Sequence, residues 1–366
     1  MKINIATATL RHLIDTVLPA VSSKSSLPVL ANIYLEAAAG QITCKATDLE
    51  VGVIASASCF VDQDGKTTVP AKPFAELLRT LDGNTVSLDM EGGKLRVKCG
   101  RSKTTFATIP ADEYPPFPDM PTDDALTLPA GGFRQIVERT LPAAATDQSR
   151  PVLCGVYLHD ADGRMASAAA DGFRLAVASI PGDPGGHTIT AVVPTKAAKL
   201  MAKAATGETV RLFRRGGQVI FDNGLGVVVV SQLIEGSYPQ IYNIIPTKST
   251  TSANLETAAL MRAVAQAEIF AREGSSICRL EIGADGVVVT GQSEETGNAS
   301  TNVEANVSGP ALTIGLNVRF LRDALSVIKT ERVALEFTTS VAPVVVRPDT
   351  TEADFVQVIM PMHLGN

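Results

Sequence analysis

Leu10, Leu13, Ile14, Val17 and Leu18 fall three and four residues apart, a spacing that predicts an amphipathic helix closing near Pro19. The period then shortens to two. ANIYLEA, GQITCKA and VGVIASA alternate apolar and polar positions between Gly, Asp and Asn turn signals, and predict short antiparallel strands. Phe74, Leu77, Leu78 and Leu81 restore the helical spacing, with an Ala71-Lys72-Pro73 entry and a stop at Asp82-Gly83. TVSLDM, KLRVKCG and TTFATIP return to strand alternation.

This order of elements recurs. LPVLANIYLEAAAGQITCKATD (Leu27 to Asp48) is echoed 123 residues later by PVLCGVYLHDADGRMASAAAD (Pro151 to Asp171), with Pro28, Val29, Leu30, Tyr34 and Asp48 matched without a gap. Thr9 to Val21 parallels Gly132 to Ala144, Val69 to Val86 parallels Val193 to Val210, and Tyr114-Pro115 returns as Tyr238-Pro239. A fainter third copy has its helices at Glu256 to Ala267 and Gly315 to Lys329, and its strand pair at Leu280 to Glu295. Units this long are domains rather than solenoid repeats. The expected fold is α+β: three repeated domains, 1–121, 122–246 and 247–366, each with two helices on one face of antiparallel sheet. Polar, proline-bearing links are expected at Pro118 to Asp124 and Ile244 to Asn254.

A length of 366 residues suits two to three domains, and 45% apolar with 19% charged residues is a globular composition. No signal peptide is read at the start, and no run reaches the roughly 20 apolar residues of a membrane helix. Cys44, Cys59, Cys99, Cys154 and Cys278 are odd in number and scattered, as for reduced cytosolic thiols acting as small buried hydrophobes. His12, His159, His187 and His363 are not spaced as metal ligands, and no HExxH, GxSxG, P-loop or paired-cysteine motif occurs. Gly216-Gly217 and the Gly182 to Gly186 run read as turns. Asp48 and Asp171 recur at equivalent places, which points to a structural turn rather than acid–base chemistry. No enzyme activity, cofactor or metal is expected.

A net charge of −6 at first argues against a nucleic-acid partner, but its distribution argues the other way. The three second-helix segments carry Lys72, Arg79, Lys196, Lys199, Lys203, Arg319, Arg322 and Lys329 against Glu76 and Asp323, a net +6 that leaves −12 for the rest. The first-helix segments are balanced.

The opening MKI, NIYLE, TDLE (Thr47 to Glu50), VPAK at Val69, DGFRLAV (Asp171 to Val177), EGSYPQIYNIIP (Glu235 to Pro246) and the closing VIMPMHL resemble the bacterial DNA polymerase III beta sliding clamps from end to end. The resemblance implies a cytoplasmic processivity factor of DNA replication: a head-to-tail homodimeric ring of six domains, helices inward and sheets outward, with duplex DNA threaded through the hole. The DNA polymerase III alpha subunit, the clamp loader and other proteins with a clamp-binding motif would dock on it by short peptides. The competing reading is a repeat-built interaction scaffold without DNA binding.

Carried over motif by motif, the resemblance implies three sites. DNA contacts would come from Lys24, Arg79, Lys196, Lys199, Lys203 and Arg322. The dimer seam would use Ile269 and Phe270 against Thr104 and Phe106, with Lys94 and Arg101 facing Glu294 and Glu304; Thr104 stands where an apolar residue is usual. A partner-peptide pocket would be walled by Leu153, Ala170, Gly172, Phe173, Arg174, Leu175, Pro239, Asn243, Ile244, Asn317, Phe320, Val341, Pro343, Val358, Met360, Pro361 and Met362, with Arg174 and Asn243 holding peptide polar groups. Phe173 replaces a usual His, Tyr242-Asn243 a usual basic pair, and His363 with Gly365-Asn366 a terminal Arg-Leu. These changes predict a preference for less acidic, more aromatic peptides.

Overall fold

The computed structural model describes residues 1–22, 26–121, 125–180, 189–350 and 354–364. In chain order come β1 (Lys2–Ala6), α1 (Thr7–Val17), β2 (Asn32–Ala38), β3 (Gln41–Thr47), β4 (Val51–Ser58), β5 (Phe60–Gln63), β6 (Gly65–Pro70), α2 (Ala71–Thr80), β7 (Thr85–Glu91), β8 (Lys94–Cys99) and β9 (Ser102–Ala107). The middle holds β10 (Leu126–Pro129), α3 (Ala130–Thr140), β11 (Gly155–Ala161), β12 (Arg164–Ala170), β13 (Arg174–Ser179), β14 (Ala191–Pro194), α4 (Thr195–Ala204), β15 (Thr209–Arg215), β16 (Gln218–Asp222) and β17 (Val227–Gln232). The last part holds β18 (Thr251–Glu256), α5 (Thr257–Ala271), β19 (Ile277–Gly283), β20 (Gly286–Ser293), β21 (Gly297–Val303), β22 (Ala305–Ser308), β23 (Leu312–Asn317), α6 (Val318–Ser326), β24 (Arg332–Phe337), β25 (Val344–Pro348) and β26 (Phe355–Ile359).

The helical stripes bury as their spacing predicts. Leu10, Leu13, Ile14 and Val17 of α1 are buried, and Leu18 begins a 3₁₀ turn in which Pro19 loses no hydrogen bond. On α2, Phe74 and Leu78 are buried while Leu77 is only half-buried. The link expected at Ile244 to Asn254 is shorter than predicted, because Thr251 already starts β18, paired with β22 and β24.

Residues 1–131 and 203–233 form one compact unit. It contains a five-stranded sheet, β5-β1-β7-β8-β9, and an eight-stranded one, β10-β15-β16-β17-β4-β3-β2-β6. α1 lies on β3 and β4, beside α2. Residues 132–202 and 234–366 form the other unit. Its sheets are β14-β11-β12-β13-β26-β25-β24-β18-β22 and β21-β20-β19-β23. α5 packs on the four-stranded sheet beside α6. A Cβ on Gly291 of β20 would sit 2.1 Å from the Ala267 carbonyl, so glycine is what lets the helix backbone approach.

In each unit one sheet runs unbroken from one sequence repeat into the next. β4 pairs with β17, placing Val53 opposite Val229, and β13 pairs with β26, placing Leu175 opposite Val358. The repeat-equivalent aspartates do the same job at these junctions. Asp48 Oδ1 accepts from the Glu50 and Val51 amides at 3.1 and 2.8 Å, and Asp171 Oδ1 from the Phe173 and Arg174 amides at 2.8 and 3.0 Å.

The equivalent tyrosines differ in one atom's surroundings. Tyr114 packs against Tyr34 and its hydroxyl accepts from the Thr47 amide at 3.1 Å; burial raises its pKa to about 12. Tyr238 stacks on Tyr157, but its buried hydroxyl faces the equivalent Ala170 amide without reaching good hydrogen-bond geometry. Tyr114→Phe is therefore expected to cost about 1 kcal/mol in urea unfolding, and Tyr238→Phe to be neutral or mildly stabilising. Equal losses from the two would contradict this difference.

Candidate functional site

The second unit leaves apolar surface open where β13, β26 and the 238–246 segment meet. Five of the twelve large apolar side chains that stand exposed among the described residues belong to the predicted pocket: Phe173, Ile244, Val341, Met360 and Met362. Val341 is 81% exposed and Phe173 60%. Ala170, Leu175 and Val358 are instead buried with Ala168, Val177 and Ile241, so they form the floor beneath this surface rather than its walls. Leu153 is also buried, in the 3₁₀ turn Pro151–Cys154.

Backbone bonds hold the rim. The Met360 amide donates to the Phe173 carbonyl, and the Met362 amide to the Gly315 carbonyl, each at 2.8 Å. A cavity of about 420 Å³ opens beside this last contact, lined by Thr313, Ile314, Gly315, Ser340, Val341 and Pro361 to Leu364. Gly172 turns with φ +94°, and a Cβ there would meet the Arg150 guanidinium at 2.5 Å. Arg150 in turn donates to the Asp171 carbonyl at 2.6 Å. Pro239 and Asn243 are exposed; Pro343 and Pro361 are half-buried.

Two predicted peptide-binding residues have structural duties. Arg174 donates to Asp171 at 2.9 Å and to Asp323 at 2.8 Å, and its guanidinium lies 4.4 Å from the centre of the Phe320 ring. With both carboxylates satisfied and the side chain 13% exposed, it is a strut from β13 to α6 rather than a waiting hydrogen-bond donor. Asn317 Oδ1 accepts from the Arg319 and Phe320 amides, capping the α6 N-terminus. The sequence reading missed Asp323 and Arg150 as parts of this site. Asp323 was legible in principle, lying three residues beyond Phe320 and so on the same helix face.

The basic helices divide similarly. Lys196, Lys199 and Lys203 share the exposed side of α4, opposite buried Ala197, Ala198, Met201 and Ala202. Lys199 and Lys203 have no carboxylate partner among the described residues. Arg79 is tied to Asp15 of α1 at 2.6 Å, and Arg322 to both oxygens of Glu268 of α5 at 2.5 and 2.6 Å. Lys329 lies beyond the end of α6 and donates to the Ser326 carbonyl, so it is no part of a helix face. Lys24 lies outside the described residues.

β9 ends one sheet and β21 ends another, each presenting an open backbone edge. Phe106 of β9 meets Phe74 edge-on at 5.6 Å, with Thr104 on the same face. On α5 Ile269 is exposed, which removes it from the core, and Phe270 lies against Gly297 of β21. Lys94 and Arg101 are exposed in the first unit, Glu294 and Glu304 in the second.

Comparison with known proteins decides the family. The chain matches the N-terminal, central and C-terminal domains of the DNA polymerase III beta subunit over residues 1–118, 127–240 and 242–363. The chain belongs to the bacterial DNA polymerase III beta sliding clamps. It is 30% identical to the beta sliding clamp of Streptomyces coelicolor over the full length of both, and 28% identical to that of Escherichia coli K12 over 94% of each. A Pseudomonas aeruginosa sliding clamp solved bound to griselimycin superposes with a TM-score of 0.91 at 27% identity, covering all of both chains.

For this clamp, the Arg174 strut gives a direct test. Arg174→Ala removes two ion pairs and the contact with the Phe320 ring, and should cost about 2 kcal/mol in urea unfolding. Arg174→Lys should recover little, since a point ammonium cannot bridge both carboxylates and stack on Phe320. Wild-type stability in Arg174→Ala would refute the strut.

Proposed function

We propose that two copies of this clamp close head to tail around duplex DNA and slide along it, tethering the replicative polymerase while catalysing nothing themselves. The repeats are taken as 1–121, 122–246 and 247–366, and the site of action as the cytoplasm. The observation that carries the tethering role is the apolar surface of Phe173, Ile244, Val341, Met360 and Met362, left open in the segments that flank β13, β25 and β26. Aliphatic and methionine side chains there accept leucine or phenylalanine anchors of a short peptide, and methionine adapts to several partners. The partners would be the DNA polymerase III alpha subunit, the clamp loader and other proteins bearing a clamp-binding motif, with Asn243 left to meet peptide polar groups. Met and Phe at the rim favour aromatic over acidic peptides.

The lysine row of α4 supports sequence-independent contact with phosphate, aided by Lys24, Arg79 and Arg322. Such binding weakens with salt in proportion to the phosphates neutralised. The clamp should stay on nicked circular DNA and be lost when the same DNA is linearised. Equal retention on both would favour ordinary binding without a ring, and no retention on either would favour the scaffold reading.

The seam is assigned to the open edges of β9 and β21, with Ile269 and Phe270 against Thr104 and Phe106, and Lys94 and Arg101 facing Glu294 and Glu304. Exposed ion pairs contribute about 0–1 kcal/mol each, so the apolar plug must dominate. Changing both Ile269 and Phe270 to Ser should yield a folded monomer in sedimentation; a dimer of wild-type affinity would sink the assignment.

A further inference from the structure

The segment from Tyr238 to Ile244 reaches the groove with its backbone held by little more than a 3₁₀ turn at Tyr242–Ile244. Its aromatic side chains grip β11 instead. The Tyr157 ring stacks on Tyr238 on one side and on His159 on the other, with centroids 4.6 and 4.5 Å apart and planes 7° from parallel. His159 meets the Tyr242 ring edge-on, and its Nε2 is 2.7 Å from the Tyr242 hydroxyl. The four rings therefore hold both ends of a segment whose middle, Ile241, packs into the groove floor.

The same place in the first repeat shows what has been added. Tyr34 and Tyr114 repeat the tyrosine pair there, but Glu36 stands in the position of His159 and Pro118 in that of Tyr242. The extra hydrogen-bonded step thus occurs in the repeat that exposes the apolar groove. His159 is 5% exposed, and burial holds its pKa below the usual histidine value, which favours the neutral ring and its hydrogen bond with the Tyr242 hydroxyl.

We infer that His159, buried behind the groove, is a positioning residue for partner-peptide binding: through Tyr242 it fixes the exposed wall formed by Asn243 and Ile244. This rests on the groove being the peptide site. The test is titration of a fluorescein-labelled short peptide, with one leucine and one phenylalanine anchor, against full-length wild type, His159→Phe, Tyr242→Phe, the double variant and a chain lacking Met360 to Asn366. Both Phe variants keep an aromatic ring in place and remove the hydrogen bond. Each should weaken binding about two- to tenfold, the loss of one partly buried hydrogen bond. The double variant should be no worse than either single one, because both remove the same interaction. In ¹³C-tyrosine spectra of a chain with five tyrosines, the Tyr242 signal should move on titrating wild type and not the truncated chain. Tight binding by wild type, none by the truncated chain and unchanged affinity in both Phe variants would overturn the positioning role while leaving the groove. Equal binding by wild type and the truncated chain would overturn the groove, and the positioning role with it.

Discussion

Strand pairing across the repeat junctions is the constraint on which the rest depends. β4 with β17, and β13 with β26, turn what would be sheet edges into sheet interiors, so their amides and carbonyls are satisfied within apolar surroundings. Register at the second junction also builds the groove. Leu175 lies opposite Val358 and Arg174 opposite Ile359, so a slip of one residue would turn the floor outward and carry Arg174 away from Asp323.

Duplication supplied two such junctions, and side-chain volume separates their fates. At the first, the Phe117 ring lies against Gly52, where a Cβ would come within 2.6 Å of it, and the remaining cavity is about 160 Å³. At the second, Ile241 takes the equivalent place and packs beneath the surface, while Phe173 and Val341 stay in solvent. A larger ring at one junction fills it; a smaller side chain at the other is covered from below and leaves the outer face free for another molecule.

Charge follows a comparable division of labour. The acidic total of −6 coexists with a cationic side of α4 because attraction at close range is set by local arrangement. Arg79 and Arg322 are held by Asp15 and Glu268, which orders their guanidinium groups. Such half-exposed pairs are worth about 0–1 kcal/mol, little enough for a phosphate to compete for the same donors.

The sequence by itself determined the elements, their threefold repetition and the family. Apolar spacing is a local property, so α1 appears in Leu10, Leu13, Ile14 and Val17 before any contact is known. Motif identity likewise singled out Phe173, Ile244, Val341, Met360 and Met362, which stand exposed. Only the tertiary structure decided which strands pair across the repeats, because the sheet period is the same whichever neighbour supplies the hydrogen bonds. It also decided what Arg174 does. A cation in a peptide-site motif reads as a free donor until the fold brings Asp323, 149 residues away in sequence, to 2.8 Å and occupies it. His159 was illegible for the same reason: Tyr157 shares its face of β11 by strand alternation, but the Tyr242 hydroxyl reaches it only when the 238–244 segment packs on that strand. Local periodicity specifies which face of an element is buried, whereas polar pairing depends on three-dimensional proximity that no spacing in the chain encodes.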